Sequence, residues 1–173
     1  MTRWTSLQAL VAKGRLAPEA VQAALGRIQP IARLDDAAGV RVVVEAIIEQ
    51  LAAKRALFQQ LEGIVAADCL LATNTSSISI TAIANGLQHR GRLVGTHFFN
   101  PVPLMKLVEA VSGLQTDAAA AEAIFALAGA WGKVAVHCRS TPGFIVNRIA
   151  RPYYAEAWAL LLEQAAFFQS SAE

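Results

Sequence analysis

The chain has 173 residues, which is enough for one full domain with a small addition and for a core that folds without disulfides. Its 15 basic and 13 acidic residues give a formal charge of +2 without a long basic run, and its apolar runs are too short to cross a bilayer, so we expect neither a nucleic-acid nor a membrane partner. Hydrophobic residues make up 55% of the chain and charged residues 16%, a balance that predicts apolar surface covered by a partner.

The N-terminal part of the chain predicts two helices, a strand and a crossover helix. One short helix ends near Gly14 and the next begins at Pro18, where the missing backbone donor is harmless. The stretch VRVVVEAII, residues 40–48, is nearly all β-branched, which is typical of a strand buried on both faces of a parallel sheet. The apolar residues from Leu57 to Val65 then recur on one helical face, as expected for a helix that packs on the sheet.

The middle of the chain alternates short strands with polar turns. The strand CLLAT, residues 69–73, is followed by the turn NTSS and a short helix around residues 80–84. The segments RLVGTHFF (92–99) and KLVEAV (106–111) predict two further strands. The two prolines between these segments exclude a helix there, so the strands are joined by a turn.

The last third predicts a helix, a strand and a long second helix. Thr116 is a suitable N-cap, and apolar residues from Ile124 to Trp131 recur at helical spacing. KVAVHC, residues 133–138, predicts the last strand, and an apolar helix then runs to about Ala166. Strands that alternate with helices of these lengths predict an α/β fold with a doubly wound sheet, followed by the start of a helical region.

Polar side chains cluster at the predicted strand ends, where open α/β sheets place their ligands. His97 closes one strand and Glu109 interrupts the next, and the turn between the strands brings them side by side. A carboxylate so placed holds one ring nitrogen of the histidine and leaves the other as a general base. The alternatives are a satisfied structural histidine, an exposed edge-strand glutamate, and residues 74–77 that only cap the next helix. Asn147, in an apolar helix start, needs hydrogen-bond partners.

Cysteine and histidine spacing gives little support for a metal site. Cys69 and Cys138 lie in apolar strands without CxxC spacing, which predicts buried free thiols and a cytoplasmic protein. His97, Glu109 and His137 are conceivable ligands on different strands, but no short ligand spacing supports them. We therefore expect no metal.

Three segments resemble the signature motifs of the 3-hydroxyacyl-CoA dehydrogenase family, which includes the 3-hydroxybutyryl-CoA dehydrogenases and the dehydrogenase part of fatty-acid oxidation proteins. They are NTSSISI at 74–80, GTHFFNPVPLMKLVEAV at 95–111 and TPGFIVNRI at 141–149. The resemblance begins near Val42 and fades near Glu163. It implies that residues 1–140 form a partial NAD-binding domain of the Rossmann type and that residues 141–173 begin a helical substrate and dimerisation domain.

The resemblance also implies an activity: oxidation of an L-3-hydroxyacyl-CoA to the 3-ketoacyl-CoA with NAD, in fatty-acid or related acyl-CoA catabolism. His97 would be the catalytic base for the 3-hydroxyl, and Glu109 its carboxylate partner. The other residues that it implicates are Ser76 and Asn147 at the reacting oxygen or the histidine, Ser76 and Asn100 at the cofactor, and Glu45 and Gln50 on the ribose side. The alternatives are that Glu45 is only an acid at a helix N-terminus and that Gln50 is only a solvated amide.

The chain departs from the family pattern at both ends. The family begins with a strand that leads into G-x-G-x-x-G, whose glycines let the backbone approach the pyrophosphate. This chain has 11 glycines but no pair separated by one residue, and Met1 falls where the family is past its first two strands. We therefore expect weak or absent NAD binding, while the resemblance itself implies an acyl-CoA substrate and a homodimer. A noncatalytic remnant that acts as an interaction module or homodimer is the alternative.

Overall fold

The structure is a computed structural model that describes residues 11–14 and 16–163. The described chain divides into two compact units, one up to Ala37 and one from Ala38 onward. The first unit contains helix α1 (Pro18–Gly26), with proline at its start as predicted, and a 3-10 turn (Leu34–Ala37). Most of the helix predicted to end near Gly14 lies outside the described residues.

The second unit is an α/β arrangement that carries all the predicted chemistry. In chain order it contains β1 (Val42–Glu45), α2 (Leu51–Glu62), β2 (Leu70–Thr73), α3 (Ile80–Ala84), a 3-10 turn (Arg90–Arg92), β3 (Leu93–Phe98), β4 (Leu107–Ser112), α4 (Ala118–Ala130), β5 (Val134–Arg139) and α5 (Val146–Leu162). The predicted strands and helices are therefore present within one or a few residues of their expected bounds.

The strands form one mixed sheet in the order β1-β2-β3-β4-β5. β1, β2 and β3 are mutually parallel, β4 runs antiparallel to β3, and β5 is parallel to β4. Helices connect the parallel neighbours, because a parallel pair needs a crossover connection. The proline-containing loop 99–106 connects the antiparallel pair without a helix. The sheet confirms the predicted α/β class.

β1 is shorter and more exposed than the sequence predicts. The strand was expected over residues 40–48, but its pairing ends at Glu45 because the amide of Ile47 donates a hydrogen bond to the Glu45 side chain (2.6 Å). Val44 is 42% exposed. Within the described residues β1 pairs only with β2 and so forms an edge of the sheet. The expectation that this strand is buried on both faces is therefore wrong for this structure.

α4 covers one face of the sheet. It contributes Ala120 and Ile124 to a buried cluster that also contains Ala72, Val94 and Ala110 from the three central strands. On the opposite face, α3 comes close to Gly95, where an added Cβ would lie 2.8 Å from the Ile80 side chain. A residue without a side chain at this point lets α3 pack directly on the sheet.

The start of α4 differs from the prediction in a single residue. The expected N-cap was Thr116, whereas the structure places Asp117 there. Thr116 is engaged elsewhere, since its hydroxyl donates to the carbonyl of Leu93 (2.8 Å) and accepts from the amide of Gly113 (2.9 Å). The threonine thus ties the end of β4 to the start of β3 instead of capping the helix.

α5 lies outside this core. None of its residues is buried, and its exposed side chains include Ile149 (70%), Tyr153 (77%) and Trp158 (67%). The predicted continuation to Ala166 falls outside the described residues. Across residues 11–14 and 16–163, no helix has both the length and the apolar character that a membrane crossing requires.

Candidate active site

His97 and Glu109 form a hydrogen-bonded pair across two antiparallel strands. They are register partners in β3 and β4, so their side chains leave the sheet on the same face. Nδ1 of His97 lies 2.6 Å from Oε2 of Glu109, and the residues are 4% and 0% exposed. The predicted proximity is therefore confirmed. Because an ionised carboxylate only accepts hydrogen bonds, Nδ1 carries the hydrogen and the neutral ring keeps a lone pair on Nε2, as a general base requires.

The second oxygen of Glu109 holds the start of α5. Oε1 accepts hydrogen bonds from the amides of Ile145 (2.9 Å) and Val146 (3.0 Å). A carboxylate at a helix N-terminus satisfies donors that have no partner within the helix. The pKa of Cys138 is raised to about 12, by burial first and then by the negative charge of Glu109. At neutral pH this thiol is therefore protonated.

Two phenyl rings border the imidazole. The ring centroids of Phe99 and Phe144 lie 4.6 Å and 5.6 Å from that of His97, with a tilted arrangement for Phe99 and an edge-to-face arrangement for Phe144. Phe144 belongs to the turn before α5 and is 3% exposed. Neither phenylalanine was singled out by the sequence analysis.

The turn after β2 brings Ser76 to the same end of the sheet as His97. Asn74 fixes the start of this turn, because its backbone amide donates to the Glu45 carbonyl (2.8 Å) and its side-chain Oδ1 accepts from the backbone amide of Phe98 (2.9 Å). Nδ2 of Asn147 donates to the backbone carbonyl of Ser76 at 3.5 Å, a long hydrogen bond. Ser76 itself is exposed, and no described residue hydrogen-bonds its hydroxyl. The structure thus brings Ser76 and Asn147 together.

Glu49 is a residue of this cluster that the sequence analysis missed. Its Oε1 accepts hydrogen bonds from the Thr75 hydroxyl, the Ser76 amide (3.0 Å) and the Ser77 hydroxyl (3.4 Å). Its Oε2 lies 3.2 Å from Nζ of Lys54. Burial alone would raise the pKa of Glu49, but these hydrogen bonds and the charge of Lys54 lower it below its usual value. The ionised carboxylate therefore fixes the turn that carries Ser76.

Glu45 is turned inward and Gln50 outward. Oε1 of Glu45 accepts from Nζ of Lys54 (2.7 Å), and Oε2 accepts from the hydroxyl of Thr73 (2.6 Å). The side chains of Glu45 and Lys54 are 0% and 1% exposed. Gln50 and Asn100 are exposed, and their amide groups have no hydrogen-bond partner within the described residues. The structure therefore gives Glu45 internal partners and leaves the two amides available to a ligand.

The buried cation of Lys54 yields a stability prediction. Lys54→Met leaves the Glu45 carboxylate buried without its counterion, so the free energy of unfolding is expected to fall by about 3–5 kcal/mol. Urea denaturation measures the change. The double variant Glu45→Gln, Lys54→Met is expected to recover part of the loss, because no unpaired charge then remains buried. The control is Lys106→Met, an exposed lysine, which is expected to be neutral; an equal effect at both lysines would contradict the prediction.

The described residues contain no group of three or more His, Cys, Asp or Glu side chains that could hold a metal ion. His137 lies apart from the His97 pair. It is 3.4 Å from Glu122 and stacks on Phe125 at a centroid distance of 4.3 Å. The site itself brings together a buried, carboxylate-held imidazole and the polar groups beside it.

Comparison with protein families gives a match over most of the chain. The model described as 3-hydroxyacyl-CoA dehydrogenase, NAD binding domain, matches residues 2–141. The match starts well before Val42, where the motif resemblance begins, so it includes an N-terminal segment that shows no motif of its own.

Curated proteins and solved structures give the same result. The 3-hydroxyadipyl-CoA dehydrogenase of Escherichia coli is 51% identical over 160 residues, which are 92% of this chain and 34% of that protein. The fatty acid oxidation complex subunit alpha of Psychrobacter arcticus is 43% identical over 159 residues, 92% of this chain and 22% of that protein. The crystal structure of 3-hydroxybutyryl-CoA dehydrogenase from Escherichia coli superimposes with a TM-score of 0.90 at 50% identity, over 94% of this chain and 34% of that chain. The chain therefore spans between 22% and 34% of the length of these proteins.

Proposed function

Because this chain belongs to the 3-hydroxyacyl-CoA dehydrogenase family, we propose that it carries the catalytic residues of an NAD-dependent oxidoreductase that converts an L-3-hydroxyacyl-CoA to the 3-ketoacyl-CoA. The observation that carries the proposal is the buried hydrogen bond of 2.6 Å between His97 and Glu109. The names of the relatives, which act on 3-hydroxyadipyl-CoA or 3-hydroxybutyryl-CoA or belong to fatty acid oxidation, support an acyl-CoA substrate and a place in acyl-CoA catabolism.

In this proposal His97 is the base that removes the proton of the 3-hydroxyl, on Nε2. Glu109 holds the hydrogen of Nδ1 and stabilises the imidazolium that forms, while it remains ionised itself. Ser76 and Asn147 hydrogen-bond the reacting oxygen and so orient carbon 3. The reverse reaction uses the same groups, with the imidazolium as the acid that returns the proton to the 3-keto oxygen.

The free polar side chains at this end of the sheet fit part of an NAD site. We assign Ser76, Gln50 and Asn100 to the cofactor, with Asn100 at the nicotinamide, since each has an exposed hydroxyl or amide group without a partner in the described chain. Glu45 acts on this part of the site indirectly. It binds the buried Lys54, which also pairs with Glu49. When bound, NAD supplies the hydride acceptor for carbon 3.

The chain alone is expected to bind NAD weakly, because it lacks the glycine-rich turn whose amides hold a pyrophosphate. Calorimetric titration of the isolated chain measures this, and tight binding in the micromolar range would contradict it. Unrelated phosphate ligands provide the control for unspecific attraction to a chain of formal charge +2.

The test of the proposed activity is an absorbance assay of NADH consumption with acetoacetyl-CoA at a fixed, high NADH concentration. A dehydrogenase is expected to oxidise NADH only when the ketoacyl-CoA is present. A comparison of four-carbon and longer or dicarboxylic acyl chains then identifies the acyl group. The absence of turnover with acyl-CoA substrates of every acyl length would contradict the proposed activity.

One observation favours a second candidate, a noncatalytic interaction module or homodimer: α5 has no buried residue and exposes Tyr153, Trp158 and Leu162. In the catalytic proposal the same helix contributes to a homodimer. Light scattering that shows a dimer, together with no turnover, would favour the module. For either candidate we propose a cytoplasmic location, because both cysteines of the chain are free thiols.

A further inference from the structure

The turn between β5 and α5 has an unusual backbone beside the His97 ring. Gly143 and Phe144 both have positive φ, of +75° and +48°. Glycine adopts this region freely, but for a bulky residue such as phenylalanine it is an outlier that costs free energy and persists only where the surrounding structure imposes it. At Gly143 an added Cβ would lie 2.9 Å from the amide nitrogen of Arg148, so the turn has no room for a side chain there.

This backbone determines where the next two amides lie. The amide of Phe144 closes the turn by donating to the carbonyl of Thr141 (2.9 Å). The amides of Ile145 and Val146 follow directly and both reach Oε1 of Glu109, at 2.9 Å and 3.0 Å. The left-handed residue at 144 thus directs two consecutive donors to one carboxylate oxygen, while the other oxygen of the same carboxylate holds His97.

The side chain of Phe144 acts on the histidine itself. Its ring meets the imidazole edge to face, at a centroid distance of 5.6 Å and an interplanar angle of 65°. The hydrogen bond to Glu109 constrains the position of Nδ1, but a single bond leaves the plane of the ring free to rotate. Phe144, which is 3% exposed, and Phe99, which directly follows the strand that carries His97, restrict that rotation.

We infer that Phe144 is a positioning residue of the proposed dehydrogenase: its ring sets the plane of the His97 imidazole, and its left-handed backbone aims two amides at Glu109. This inference rests on the proposed role of His97 as the base. A general base needs its lone pair aligned with the proton that it removes, and misplacement by about 1 Å costs up to about 100-fold in rate. One residue thus holds both His97 and Glu109 in place, which explains why a strained, buried phenylalanine occupies this turn.

The test compares Phe144→Leu with Phe58→Leu, which truncates an equally buried phenylalanine of α2. Phe144→Leu is expected to lower kcat about 10- to 100-fold with a KM for the acyl-CoA that changes by less than about twofold, since alignment and not binding is lost. Phe58→Leu is expected to lower stability without this kinetic change. If Phe144→Leu does not fold, Phe144→Met replaces it, because the unbranched methionine side chain adapts better to the space that the ring leaves.

A second readout is independent of turnover. The proton on Nδ1 of His97, held by a buried carboxylate, is expected to give a resolved downfield NMR signal in the wild type and in Phe58→Leu. In Phe144→Leu the signal is expected to broaden beyond detection, because the ring moves. Unchanged kcat and an unchanged signal in Phe144→Leu would overturn the inference. A wild type without turnover refutes the proposed activity alone, and the NMR signal then decides the role of Phe144.

Discussion

His97→Ala is expected to lower the turnover of the acyl-CoA substrate about 10²- to 10⁴-fold, which is the usual contribution of a positioned general base. The proton of the 3-hydroxyl then has no acceptor within the buried site other than water. The KM is expected to change little, because Ser76 and Asn147 remain to bind the reacting oxygen. Initial rates of NADH formation, compared at the same high NAD concentration in both proteins, measure the effect.

The control for this substitution is His137→Ala. The side chain of His137 is 46% exposed and lies 3.4 Å from Glu122 of α4, so the two residues form a histidine–carboxylate pair without the burial of His97. Full turnover is expected in this variant. Circular dichroism and urea denaturation separate loss of chemistry from loss of folding, since the His97 ring is only 4% exposed and its removal leaves a cavity. Equal rates in the wild type and His97→Ala would remove the base from the proposed mechanism.

Glu109→Gln is expected to lower turnover about 10²- to 10⁴-fold, as much as His97→Ala does, while the fold is retained. The amides of Ile145 and Val146 need an acceptor, so the amide oxygen of the new side chain stays on their side. Its NH₂ group then faces Nδ1 of His97, which must accept. The ring hydrogen therefore moves to Nε2, and the nitrogen that should remove the substrate proton is already protonated.

Two further variants separate the functions of the carboxylate. Glu109→Ala also removes the acceptor for the start of α5 and leaves two part-buried donors unsatisfied, so it is expected to be less stable than Glu109→Gln by about 1 kcal/mol in urea denaturation. Glu122→Gln, in the exposed histidine pair, is expected to be neutral in both rate and stability. If Glu109→Gln retained wild-type turnover, the tautomer of His97 would have no part in the reaction.

The sequence predicted the strands and helices well because their local patterns are strong. The β-branched strands and the apolar helical faces do not depend on distant contacts for their identity. The misassigned features depend on such contacts. β1 has a fully buried pattern, yet the described chain supplies no second neighbour for it. Thr116 has the chemistry of a cap, but the carbonyl of Leu93, more than twenty positions earlier in the chain, competes for its hydroxyl.

The pairing of His97 and Glu109 was predictable because one short turn joins their strands. The roles given to the site residues stay predictions. Glu49 was missed although it lies four residues after Glu45. The buried Lys54 determines which of the two carboxylates turns inward, and the sequence pattern does not show this contact. Capping of α3 by residues 74–77 was left open by the sequence, and the structure uses Ser79 instead. Phe144 had no signal, since a left-handed backbone at a phenylalanine is invisible in the pattern.

The register of β3 and β4 has a consequence for how this chain tolerates changes in length. Side chains alternate along a strand, so adding or removing one residue within either strand turns all residues beyond it to the opposite face. Such a change separates the imidazole from the carboxylate even if both residues are retained. The connecting loop 99–106 is different, because additional residues there extend a connection without disturbing the pairs on either side. Insertions are therefore compatible with the His97–Glu109 pair in the loop, whereas single insertions or deletions are incompatible with it in the strands.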